Sequence, residues 1–379
     1  MVADLTAERL DVDDLLADPA TRIIVCCGAG GVGKTTTAAA LGLRAAEKHG
    51  RRTVVLTIDP ARRLAQSMGL SELDNTPRQV KGIDGESGGE LHAMMLDMKR
   101  TFDEVVQQHT TPQRASEIFA NPFYQAMSST FSGTQEYMAM EKLGQLRSTD
   151  EWDLIVVDTP PSRSALDFLD APARLSRFLD GRMLRLLTSP ARTGGRSMFS
   201  LVTASFGLFS RTVQKILGAQ LLTDLSGFVA ALDSMFGGFR HRADETYRIL
   251  QDPQTAFLLV AAPERDAVRE AAYFAERLVA ERMPLAGLVL NRMHRAEADS
   301  LSAERSETAA AALDAAGEQE MTADALRVHA SLVRQIRREM TVAATFTDAF
   351  PGVPAVSVTA QPADVHDVDG LRTIGALLA

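Results

Sequence analysis

Seven short apolar runs punctuate the chain: Ile23–Cys27, Thr53–Ile58, Leu91–Leu96, Leu154–Val157, Thr255–Ala261, Ala286–Leu290 and Ala355–Val358. Each is rich in aliphatic or β-branched residues and ends at a turn or a charged position. That is how a strand covered on both faces reads. Segments of helical pattern lie between them, such as the Ala-rich stretch Thr36–Lys48. Strands alternating with helices predict an α/β fold with a doubly wound, mostly parallel sheet. The spacing is uneven. The gaps from Leu96 to Leu154 and from Val157 to Thr255 exceed what one crossover helix needs, so helical insertions are expected over about 98–150 and 172–250. The expected organisation is one domain over 20–379, interrupted twice, behind an N-terminal segment 1–19. TSPARTGGR (Thr188–Arg196) reads as a loop, and Glu297–Ala325, Ala-rich and charged, as solvated helix.

Composition narrows the class. Of 379 residues, 45% are hydrophobic and 23% charged, a soluble globular balance. Forty basic against 49 acidic residues leave a net charge of −9, which argues against nucleic-acid binding by bulk charge. The start, Met1–Leu16, is acidic and has no basic-then-apolar leader. The longest uncharged stretch, Ile118–Gln135, contains Asn121, Pro122 and Gly133 and suits no bilayer-spanning helix. The expectation is a cytoplasmic protein, peripheral to a membrane through partners if at all. The two cysteines, Cys26 and Cys27, are adjacent in a strand, so their side chains face opposite ways and cannot share one metal. No two of the seven His fall within four residues of each other, so no local zinc motif exists.

One segment carries specific chemistry. GAGGVGKTT, Gly28–Thr36, fits G-x-x-x-x-G-K-[ST] with Gly28, Gly33, Lys34 and Thr35 at the fixed places, after a strand and before a helix. Glycines let backbone N–H groups face phosphates without a Cβ in the way, and the helix N-terminus favours the anion. The candidate nucleotide cradle is therefore Gly28, Ala29, Gly30, Gly31, Val32, Gly33, Lys34, Thr35 and Thr36. Lys34 would reach the β- and γ-phosphates, and the Thr35 hydroxyl would ligate Mg²⁺. In LIVVDTPP (Leu154–Pro161) the buried strand ends at Asp158, a carboxylate placed to hold Mg²⁺. In TIDP, Asp59 ends another strand, where it can orient water for attack on the γ-phosphate and lie near the metal. The expected ligands are ATP and Mg²⁺, and the expected fold is a P-loop NTPase with an inserted helical subdomain.

GGVGKTT, IDPARRL, LHAMMLD (Leu91–Asp97), VVDTPPSRSALDFLDAP (Val156–Pro172) and VLNRM (Val289–Met293) occur in a fixed order. Together they resemble the arsenite-pump and guided-entry ATPases, the latter serving tail-anchored membrane proteins. The resemblance runs from Ile23 to Leu378 and is weak in the insertions. It implies that Asp59 is the water-activating carboxylate of a first switch and that Asp158 opens the second. It further implies that Asn291 contacts the adenine ring and that Gln361, Pro362 and Asp364 (QPAD) belong to a loop packing on the base. It also implies a dimer, either of this chain or with a paralogous ATPase, and a hydrophobic membrane-protein client.

The departures are specific. The family's second lysine, after the first Gly of the loop, is Ala29 here. A paralogous partner supplies it, or Arg62, Arg63 or Arg163 replaces it, or turnover is slow. The zinc-bridging C-x-x-C is absent, as are the separated cysteines of arsenite binding, so arsenite transport is not expected. Residues 90–245, about 41% of the chain, hold 12 of 16 Phe and 9 of 15 Met. Met94, Met95, Met98, Phe102, Val105 and Val106 have near-helical spacing, and a second run extends from Phe199 to Leu217. These are either the core of a helical subdomain or a groove for an apolar client.

Overall fold

The computed structural model describes residues 7–59, 63–122, 124–125, 134–160, 244–298, 300–317 and 319–379. Its centre is a sheet of β1 (Ile23–Cys27), β2 (Arg52–Thr57), β3 (Arg78–Gln79), β4 (Glu90–Met95), β5 (Leu154–Asp158), β6 (Thr255–Ala261), β7 (Leu285–Met293) and β8 (Ala355–Thr359). The spatial order is β3-β4-β2-β5-β1-β6-β7-β8. Every neighbouring pair is parallel except β3 with β4. β1, β5 and β6 are buried along their whole length, which is why each reads as an unbroken apolar run. The α/β fold expected from the sequence is the fold observed.

The described helices are α1 (Val12–Ala17), α2 (Lys34–His49), α3 (Arg63–Ser67), α4 (Met98–His109), α5 (Pro112–Ala120), α6 (Thr134–Ser148), α7 (Arg265–Ala280), α8 (Ala303–Ala316), α9 (Glu320–Ala349) and α10 (Val368–Leu378). The backbone divides into two compact units. The first is Met1–Leu96, Gln145–Leu166 and Arg248–Ala379, and the second is Asp97–Gly144 and Asp167–Tyr247.

In the first unit, α2 buries its alanines, Ala38, Ala39, Ala40, Ala45 and Ala46, against the sheet. Small side chains allow that close approach. At Gly42 even a methyl group would stand 2.5 Å from Val55 Cγ2. The helix stops at Gly50, whose φ of 62° is the left-handed C-cap that glycine adopts without strain. The N-terminal segment is tied into this unit: Val12 and Leu16 are fully buried, and Arg9 bridges to Ala355 at the β8 edge. Arg51 anchors the opposite end of the strands. Its buried guanidinium donates to the carbonyls of Leu16, Asp18, Thr21 and Asp153.

In the second unit, Asp97 caps α4 by accepting from the Arg100 N–H at 2.9 Å. Phe102, Val105 and Val106 face inward, Phe102 lies edge-on to Tyr124 at 5.3 Å, and the Tyr124 hydroxyl donates to Asp103. Met138 and Met140 on α6 are also buried. These Phe and Met residues are core. Of the residues with near-helical spacing, Met94 and Met95 close β4, as the strand reading of Leu91–Leu96 expects, and Met98, Phe102, Val105 and Val106 lie on α4. The run from Phe199 to Leu217 and the loop Thr188–Arg196 lie outside the described residues.

Candidate functional site

The loop between β1 and α2 is built as its glycines require. Gly28, Gly31 and Gly33 have φ of 152°, 77° and 96°. A Cβ on Gly28 would stand 2.0 Å from the Val260 carbonyl oxygen, and one on Gly33 2.1 Å from Asn291 Nδ2. Side chains at these two positions are therefore excluded by space as well as by conformation. Lys34, buried at the start of α2, donates from Nζ to the Ala29 carbonyl at 2.7 Å. Burial lowers its pKa, and the nearby Asp158 carboxylate opposes that shift.

Asp158 closes β5, with Cys26 of β1 and Thr57 of β2 as its register neighbours. It is fully buried. Oδ2 accepts from the Thr35 hydroxyl at 2.8 Å and from the Thr57 hydroxyl at 2.8 Å. Oδ1 is buried with no hydrogen-bond partner. Desolvation pushes the carboxyl up to about 6, and the two hydroxyls and the Lys34 ammonium pull the other way. An orphaned buried carboxylate oxygen beside a phosphate-loop hydroxyl fits a hard cation. Thr35, by donating its proton to Asp158, keeps its lone pairs for the same ion.

Thr57 was not legible as a functional residue. Its hydroxyl donates to Asp158 and accepts the Asp59 N–H at 3.2 Å, so one side chain links the two candidate carboxylate segments. The only signal was a hydroxyl residue two positions before Asp59.

A cleft of about 990 Å³ opens over the carboxyl ends of the strands, where ligands bind in open parallel sheets. Gly30, Gly31, Gly33, Lys34, Thr35, Thr36, Asp59, Asn291, Gln361 and Asp364 all line it, with Arg292, His294, Thr359 and His366. Asn291 also braces the loop, its Nδ2 donating to the Val32 carbonyl at 2.8 Å. Pro362 is exposed and does not line the cleft. Ala29 and Val32 instead line a hollow of about 230 Å³ on the other flank of the loop, shared with Glu264, Asp266 and Glu270. Arg62 and Arg163 lie outside the described residues, and Arg63 opens α3.

The cysteines are structural. Burial pushes the Cys27 thiol up to about 12 and Cys26 well above its ordinary value. Among the described residues no group of three or more His, Cys, Asp or Glu is placed to hold a metal, and no helix is long and apolar enough to cross a membrane.

Several known proteins are similar to this chain. A putative arsenical pump-driving ATPase of Prosthecochloris vibrioformis is 32% identical over 162 residues, 41% of this chain and 36% of that protein. ATPase GET3 of Malassezia globosa is 28% identical over 173 residues, 46% of this chain and 49% of its own length. ATPase ASNA1 homolog 2 of Paramecium tetraurelia is 25% identical over 289 residues, covering 74% and 78% of the two chains. The chain thus spans about half or less of the first two relatives and over three quarters of the third. The model of the family described as anion-transporting ATPase matches residues 21–319, which include the phosphate loop, Asp59, Asp158 and Asn291, and the chain belongs to that family.

Proposed function

We propose that this chain binds Mg-ATP in the cleft and hydrolyses it, and that turnover drives a helical subdomain and a partner subunit. The observation that carries this is the buried Asp158, tied through Oδ2 to Thr35 and Thr57 while Oδ1 is left bare beneath the phosphate loop. Loop N–H groups and the Lys34 ammonium hold the β- and γ-phosphates and stabilise charge as it builds on them. Thr35 and Asp158 would hold Mg²⁺, with Asp59 close by. Bound there, the ion would neutralise phosphate charge. Asp59 accepts a hydrogen bond from water and orients it toward the γ-phosphorus. Asn291, with Gln361 and Asp364, supports the nucleoside end. Hydrolysis then alters the segments after Asp59 and Asp158, a common way for such loops to move helices. The Lys34→Ala variant is expected to lose ATP binding. Asp59→Asn is expected to keep binding and lose turnover, and a wild-type rate in Asp59→Asn would refute its role.

The process served is a membrane-linked transport or targeting event, which the chain energises or regulates. The partner is a second copy or a paralogous ATPase that carries the lysine replaced by Ala29. Stable recovery of such a paralogue, against recovery of a homo-oligomer alone, separates the two. Arsenite is not the cargo. Both thiols are buried and held protonated, so no thiolate is offered to a metalloid. The alternative is a chaperone-like targeting factor, supported by the GET3 and ASNA1 names of relatives. It requires nucleotide-sensitive capture of an apolar helical peptide. Such a groove is not assigned to Phe102, Met138 or Met140, which are buried.

A further inference from the structure

β7 continues past Asn291. Its register against β8 shifts between Leu290 and Met293, and Arg292 has φ of 62°, a left-handed conformation that non-glycine residues rarely adopt. The chain then delivers His294 to the cleft wall. What fixes His294 comes from α9. Glu339, 7% exposed, accepts the His294 backbone N–H on Oε2 at 2.9 Å and Nδ1 on Oε1 at 2.7 Å. Gln335, one turn earlier, donates to Glu339 Oε1 at 3.0 Å, and its amide nitrogen lies 3.1 Å from His294 Nδ1, against the ring.

The arrangement is informative in three ways. A buried carboxylate is costly unless donors meet it, and the donors Glu339 finds are the backbone and ring of His294 and the Gln335 amide. A carboxylate only accepts, so Nδ1 carries the proton; the Gln335 amide nitrogen lies over one side of the ring, 3.4 Å from Nε2 as well, which leaves the Nε2 lone pair and the other ring face for a ligand. The phosphate loop lines part of the cleft and the ends of β7 and β8 line another wall, so a nucleotide whose phosphates sit on the loop can carry its nucleoside toward that wall.

We propose that His294 is a nucleoside-contacting residue on that wall, positioned by Glu339 and Gln335, so that α9 senses whether the cleft is filled. The inference rests on the reading of the cleft as a nucleotide site. Its chemistry is stacking on a base or a hydrogen bond from a ribose hydroxyl to Nε2. Glu339 and Gln335 are positioning residues that act through the imidazole.

The test is equilibrium binding of ATP and of inorganic tripolyphosphate, which shares the phosphates and lacks the nucleoside. Both are measured with the wild-type chain, His294→Ala, His294→Asn, Glu339→Gln and the double variant. His294→Ala is expected to weaken ATP about tenfold, the usual worth of one hydrogen bond or stack, and to leave tripolyphosphate binding unchanged. His294→Asn, which keeps a polar group, recovers part of the loss. Glu339→Gln loses less than His294→Ala, and the double variant is no weaker than His294→Ala alone, the signature of two residues acting as one unit. ATP protects the α9 amides from hydrogen exchange in the wild-type chain and not in His294→Ala. Equal weakening of ATP and tripolyphosphate, additive losses, unchanged ATP affinity in His294→Ala, or no α9 protection in the wild-type chain overturns the proposal. A wild-type chain that binds neither ligand overturns the nucleotide reading itself.

Discussion

Thr57→Val is the sharpest perturbation of the site, because it changes one hydroxyl and little else. Thr57 is buried at the end of β2, valine has nearly the same shape, and β-branching suits a strand. The hydroxyl donates to Asp158 Oδ2 at 2.8 Å, accepts the Asp59 N–H at 3.2 Å and lies 3.4 Å from the Asp59 carbonyl oxygen. A hydrogen bond to a carboxylate contributes about 2 kcal/mol. Losing it moves the Asp158 carboxyl further in the direction burial already drives it, toward the protonated form. If the loss falls wholly on the cation site, about 2 kcal/mol becomes a roughly thirtyfold rise in the Mg²⁺ needed for half-maximal turnover. The assay is ATP hydrolysis against Mg²⁺ at saturating ATP, with a thermal melt to confirm the fold. Thr57→Ser, which keeps the hydroxyl, should titrate like the wild-type chain. A Thr57→Val chain with wild-type Mg²⁺ dependence and rate would show that this link does not organise the metal site.

Three further outcomes follow from particular residues. Gly33→Ala places a methyl group on Asn291 Nδ2 and demands a φ of 96° from alanine, so ATP binding should vanish while the melting transition survives. Retained binding, measured by calorimetry, would mean that the loop tolerates the side chain. Arg51→Met strands the carbonyls of Leu16, Asp18, Thr21 and Asp153 in a buried place and should lower stability by about 3 kcal/mol in urea unfolding. Asp13 is held at about 2, first by the Arg44 hydrogen bond and then by His49. Its folded pKa lies below the unfolded value of 3.8, so its contribution is complete above about pH 4 and is lost as pH falls toward 2. Asp13→Asn should therefore be less stable than the wild-type chain at neutral pH and converge with it near pH 2, as read from melting temperatures.

The parts of the fold that were legible share one cause. Strands with both faces covered must be apolar throughout, so Ile23–Cys27 and Thr255–Ala261 read to the residue. β3 did not, because Arg78–Gln79 is a two-residue polar edge pair with no apolar run. β7 was cut short at Leu290, because the strand carries Asn291 and Arg292 through a register shift that no period-two pattern announces. Leu91–Leu96 read as a strand, yet Met94 and Met95 also fit the helical spacing of the run that follows, since apolar spacing alone does not mark where β4 ends and the Asp97 cap begins. In the site, the phosphate loop was legible because its glycines and Lys34 answer local demands. Thr57, Glu339 and Gln335 were not, because each acts on a residue distant in sequence or through a contact that only packing creates.

The buried pair Cys26 and Cys27 has a practical consequence. Both thiols are enclosed in β1 and held protonated, so the chain is nearly silent toward maleimide reagents while folded. A single cysteine introduced at an open position becomes an addressable handle without removing either native cysteine. Met321 and Val328 on α9 are 86% and 69% exposed, which makes either a seat for one fluorophore. The innermost strand, by hiding its sulfur, leaves the surface free for optical readout of the long helix during turnover.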